Sequence, residues 1–119
     1  MMTRLNQAYI KKIEKAIELI EKHDLGHAKD MIHEAIQLDD NGAEAQNLLG
    51  AYYELTGDRL LALRHYRASY ALEPSYGYAN MNIERLTCNN LIGANEQPFL
   101  GHEDLSEVEG IDRMFAKMK

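Results

Sequence analysis

At 119 residues, with a net charge of −6, 45% hydrophobic and 27% charged residues, the chain suits one folded domain rather than two, and rather than a disordered segment. The negative balance sets the overall field against a polyanion, so nucleic acid is not an expected partner. The single cysteine, Cys88, cannot close an intrachain disulfide, and Lys11 and Lys12 interrupt the start before an apolar run develops. A cytoplasmic location without membrane contact is the default expectation.

In chain order, Ile10, Ile13, Ala16, Ile17, Leu19 and Ile20 recur at three- and four-residue spacing and predict a first helix over 8–22. His23-Asp24-Leu25-Gly26 then reads as a turn, with Gly26 free to take positive φ. A second helix follows on Ala28, Ile32, Ala35, Ile36 and Leu38, completing an antiparallel hairpin. Asp39-Asp40-Asn41-Gly42 breaks the period, and Asn41 with Glu44 has the spacing of a capping box for a third helix carrying Ala45, Leu48, Leu49, Tyr52, Tyr53 and Leu55. Gly57 suits the end of that helix and Asp58 the N-cap of a fourth, over about 59–72. Pro74 stops the fourth helix, and Ser75 is placed to cap a fifth that reaches about Asn90.

Residues 91–103 carry Gly93, Asn95, Pro98 and Gly101 without a sustained period and read as a linker, long for a compact domain. Beyond it, residues 104–119 predict a C-terminal amphipathic helix, with Leu105, Val108, Ile111, Phe115 and Met118 on one side and Asp104 and Glu107 at capping spacing.

A shift of 34 residues lays Ala16 on Gly50, Leu19 on Tyr53, Ala28 on Ala62, Ile32 on Tyr66, Ala35 on Ser69 and Leu38 on Leu72, small on small and large on large. Leu49-Gly50, Tyr53, Ala62, Tyr66 and Pro74 fall in the consensus slots of the tetratricopeptide repeat, with Gln46 in place of its usual Trp. The chain therefore resembles that family over residues 9–90, in about two and a half repeats. The second repeat is the best defined; the first has Lys15-Ala16 for Leu-Gly and Asp40 for Pro, and the third supplies one helix.

The resemblance implies an all-α fold, with antiparallel helix pairs stacked as a short right-handed superhelix over residues 1–90. It also implies a non-catalytic scaffold that binds a peptide or helix on the concave face, lined by the first helix of each pair. Relatives that hold a C-terminal carboxylate there use Lys, Asn and Arg, whereas the corresponding positions here are Ile13, Ile17, Leu48, Tyr78 and Asn82, which excludes such a clamp. The expected partner-binding face is instead apolar, made of Ile10, Ile13, Ile17, Ala51, Leu55, Tyr78 and Met81, with Asn47, Glu54 and Arg85 at its polar edges. That stripe suits an amphipathic helix of a partner protein.

Each large aliphatic side chain gains roughly 1.5–3 kcal/mol from full burial, so such a face calls for a cover. The terminal helix is the candidate within the chain, through Leu105, Val108, Ile111 and Phe115. Its tether of residues 91–103 spans up to about 40 Å. Docking in cis, docking onto a second copy to form a homodimer, and capping of the repeat stack are the three arrangements open to it. The alternative function is accordingly a structural homo-oligomer, assembled by exchange of terminal helices and without an external client.

Chemistry finds little purchase. His23, His27 and His33 are not spaced as a metal site, because the first two straddle Gly26, and they read as surface residues. His65 and His102 have no partner acid or nucleophile assigned to them. The acidic run Glu103, Asp104, Glu107, Glu109, Asp112 lacks the ligand order of a calcium loop, and Gly42, Gly50 and Gly57 punctuate helices rather than a phosphate loop. Arg59, Arg64, Arg67 and Arg85 read as a solvated helix face. Neither enzymatic activity, a metal nor a cofactor is expected.

Overall fold

The structure, a computed structural model, describes residues 4–88 and 97–102, with side chains from Gln7 onward. The expected terminal helix, with Leu105, Val108, Ile111 and Phe115, lies outside the described residues. The fifth helix, expected to reach about Asn90, ends at Thr87, where Cys88 is its C-cap and bonds back to Glu84 O.

Five helices account for the regular structure of the described residues: α1 Arg4–Glu21, α2 Leu25–Leu38, α3 Ala43–Leu55, α4 Arg59–Leu72 and α5 Gly77–Thr87. Each packs on its neighbour in the chain, and α1 also touches α3. Three-residue connections, 22–24 and 56–58, join α1 to α2 and α3 to α4, so each of these closely packed pairs runs antiparallel. Among the described residues no helix is long and apolar enough to cross a membrane.

The local geometry repeats with the period read in the sequence. Asp24 and Asp58 are both N-caps, accepting from the N–H groups of His27 and Leu61. Their own N–H groups bond to Leu19 O and Tyr53 O. At the other ends Asp39 and Glu73 adopt matching extended C-cap conformations and donate to Ala35 O and Ser69 O. Positive φ likewise recurs, at His23 (60°) and Gly57 (95°). The glycine expected to make the first turn, Gly26, is instead inside α2. His23 takes its place, and Asp24 uses its carboxylate for the cap and for the His27 ring, whose Nδ1 lies 2.9 Å from both oxygens.

The expected capping box at Asn41 and Glu44 does not form. The N-cap of α3 is Gly42, which has no side chain to offer. The hydroxyl of Tyr9 on α1 fills that role: it accepts from Ala45 N at 3.1 Å, the third N–H of the helix, and donates to Glu44 Oε1 at 3.0 Å. Gly42 has to be glycine here, since a Cβ would overlap the Tyr9 phenol. Ser75 is likewise not the cap of α5, whose N-cap is Tyr76.

The main core gathers Ile13, Ala16, Ile20, Ile32, Leu48 and neighbours from α1, α2 and α3, and it includes Leu100. A smaller cluster, Ala62, Tyr66 and Leu86 with Tyr53, Leu63 and Ile83 against it, joins α4 to α5. Gly50 admits the Tyr66 ring where any Cβ would overlap it.

Candidate functional site

The face made by α1, α3 and α5 is occupied. Residues 97–102, part of the segment read as linker, lie across it without regular secondary structure, and their burial alternates: Gln97 exposed, Pro98 buried, Phe99 half-buried, Leu100 buried. That period of two is what an extended chain shows when every second side chain points into a groove. Leu100, 6% exposed, enters the main core. Gly101 then turns with φ 116° close to the Tyr76 hydroxyl, and His102 Nε2 meets Glu21 Oε2 at 2.6 Å.

Two asparagines hold this segment by its backbone. Asn82 Oδ1 accepts from Phe99 N at 2.9 Å, while Asn82 Nδ2 donates to Phe99 O at 2.9 Å. Asn47 Nδ2 also donates to Phe99 O at 2.9 Å, and Asn82 Nδ2 gives its second hydrogen to Asn47 Oδ1 at 2.8 Å. Both asparagines are 0% exposed. A buried amide that lost these partners would leave its polar atoms unpaired, so the pair and the backbone N–H and C=O of Phe99 complete one another.

The orientation of Asn82 is fixed by its far neighbour. Arg85 Nη2 donates to Asn82 Oδ1 at 3.0 Å, so donors converge on the oxygen and acceptors on the nitrogen, which leaves one amide orientation consistent with the network. Arg85 is in turn held in a two-pronged pair by Glu54, with Nη1 to Oε2 at 2.7 Å and Nη2 to Oε1 at 2.6 Å. Tyr66 donates its hydroxyl to Glu54 Oε1 at 2.8 Å. Burial, reinforced by the Glu54 charge, pushes the Tyr66 phenol well above the ordinary tyrosine value and keeps it a donor. A chain of contacts thus runs from α4 through α3 and α5 to the backbone of residue 99.

Of the residues expected on this face, Ile13, Ile17, Ala51 and Met81 are buried, and Ile10 and Leu55 are half-buried against the core. Leu55 also lines a cleft of about 290 Å³ beside the segment, with Ile20, Glu21, His23, Gln97, Pro98, Leu100 and His102. Tyr78 is half-buried, its ring 5.2 Å from that of Tyr76. Asn47, Glu54 and Arg85, expected at polar edges, are joined in the network instead, Asn47 and Arg85 buried and Glu54 half-buried, and Arg85 at 6% exposure is no part of a solvated basic face. The face is therefore apolar along α1 and polar between α3 and α5.

Sequence reasoning missed Asn82 and the segment 97–100. Asn82 was the one polar residue among the five positions that excluded a carboxylate clamp, and that exception was the available signal. Of the histidines, His65 stacks on Tyr53, with centroids 5.2 Å apart and planes at 15°, and its Nδ1 lies 2.9 Å from Gln46 Oε1. No protein-family model, curated protein or solved structure matches this chain.

Proposed function

We propose that the chain is a non-catalytic protein–protein interaction scaffold that binds a peptide or helix of a partner on the face of α1, α3 and α5. The observation that carries this reading is the occupied groove: a segment lying there has one side chain in the core and both backbone polar groups of one residue bonded to buried asparagines. Side-chain burial supplies affinity, and backbone hydrogen bonds supply register, which is how sheet edges and helical grooves recognise peptides. The recurrence of cap and turn geometry at 34 residues supports the tetratricopeptide resemblance, and with it a concave binding face.

A peptide-display selection over the immobilised full chain tests this, run on the wild type and on Leu100→Asp, which loosens the resident segment. Enriched peptides are expected to bind saturably, one per chain, and to lose binding in Asn82→Ala with its helical circular dichroism intact. Failure of both proteins to enrich any peptide overturns the reading. If light scattering also gives a fixed oligomer that falls to monomer without residues 104–119, assembly through terminal helices replaces it.

A further inference from the structure

The resident segment also says what kind of ligand fits. Resting on the interaction reading above, we infer that the groove takes an extended peptide of the pattern apolar-x-aliphatic, and that residues 97–102 are an internal mimic which competes with it for the same site.

The pattern follows from the geometry. The residue at the position of Phe99 is held by its N–H and C=O, both bonded to the Asn47–Asn82 pair, contacts that do not specify its half-buried side chain. The residues on either side, Pro98 and Leu100, are buried, and Leu100 fills a place in the core of α1 and α3. Proline at the first position fixes its own φ and biases the residue before it toward extended structure, which lowers the ordering cost of docking. Glycine at the position of Gly101 lets the chain turn off the face at positive φ, in a space that Tyr76 closes to any Cβ.

Competition follows from the tether. Nine residues, 88–96, connect α5 to the segment, and a connection that short presents it at an effective concentration on the order of millimolar. A free hexapeptide with three backbone hydrogen bonds and two buried side chains binds in trans only where the resident copy has been weakened. A natural partner has to exceed the resident copy in contacts, for example by continuing into the cleft bordered by Ile20 and Leu55.

The probe is a fluorescein-labelled, end-blocked peptide, Gln-Pro-Phe-Leu-Gly-His, titrated into the full chain by fluorescence anisotropy. Leu100→Asp, which leaves Asn47 and Asn82 untouched, is expected to bind it at least tenfold more tightly than wild type does. A probe methylated on the phenylalanine nitrogen, unable to donate to Asn82 Oδ1, is expected to lose at least tenfold of that affinity. Phe99→Pro serves as a second loosened variant, withdrawing the same N–H while keeping Leu100, and is used if Leu100→Asp does not fold.

Equal affinity for wild type and a folded loosened variant overturns the mimicry while leaving the interaction reading intact. No binding to either loosened variant, or full binding of the methylated probe, overturns the ligand pattern. Failure of the peptide-display selection is a separate result and removes the interaction reading itself.

Discussion

At Gly50 the backbone of α3 meets the Tyr66 ring so closely that a Cβ there would overlap ring carbons, while the 34-residue equivalents, Ala16 and Ile32, are both fully buried with a Cβ at the first and a smaller side chain at the second. The extra ring in one unit is offset by the missing methyl. Gly50→Ala is therefore expected to destabilise by about 1–3 kcal/mol through overpacking, despite the better helix propensity of alanine. Urea unfolding of Gly50→Ala beside Gly50→Ala/Tyr66→Ile checks it: the second change should recover part of the loss, and additive losses would refute the fit. The Glu54–Arg85 pair makes a contrasting case, since Arg85 is buried, Glu54 is half-buried beside it, and each depends on the other. Arg85→Met leaves the Glu54 carboxylate with only the Tyr66 hydroxyl, at an expected cost of about 3–5 kcal/mol, whereas Glu54→Leu/Arg85→Met should cost clearly less than the sum of the single changes. A double-mutant cycle by denaturant unfolding measures that difference.

At the scale of the element, α3 and α4 are joined by more than apolar contact, because His65 stacks on Tyr53 and bonds Gln46 across the pair. Burial first, and then the Arg64 charge, lowers the His65 pKa from its ordinary 6.5. The unfolded chain thus takes up the proton at a higher pH than the folded one, and the stability of the pair falls as pH drops from about 6.5 through the folded-state value. His65→Phe, which keeps a ring against Tyr53, is expected to flatten this part of the stability–pH curve between pH 7 and 5; thermal melts that keep the same slope in both proteins would exclude His65 as its source. The helices themselves were legible because α2 and α4 each bury two small residues about one large one at helical spacing, and α4 has the bounds that Asp58 and Pro74 suggest. The first turn takes its positive φ at His23, three residues before the Gly26 that local pattern suggests, although Asp58, correctly placed as a cap, has Asp24 34 residues before it and Gly57 has His23. Histidine in a left-handed turn carries no local sign of that conformation, and only the repeat reveals it. The capping hydroxyl of Tyr9 was invisible for another reason: it reaches α3 from 36 residues away, which no local pattern encodes.

At the scale of the molecule, among the described residues, the helices pack their apolar side chains against one another, yet the core is completed by a short piece of chain that belongs to none of them. Its apolar period is only two residues, Pro98 and Leu100, too brief to be told from a loop by pattern, and the asparagines that receive it are two residues scattered over 35 positions. A segment held this way is expected to detach without unfolding the rest, which caps the loss caused by any substitution in it at its own docking free energy. Leu100→Ala is expected to cost about 2–3 kcal/mol, and Leu100→Asp hardly more, because once the segment has left the face the nature of the side chain no longer matters. Ile32, fully buried between helices, has no such escape: Ile32→Asp should cost several kcal/mol more than Ile32→Ala. Guanidinium unfolding of the four variants, with hydrogen exchange reporting whether the α5 amides open earlier in the Leu100 pair alone, distinguishes a docked strap from an integral part of the core. Equal gaps between alanine and aspartate at the two sites would mean that residues 97–102 unfold only with the helices.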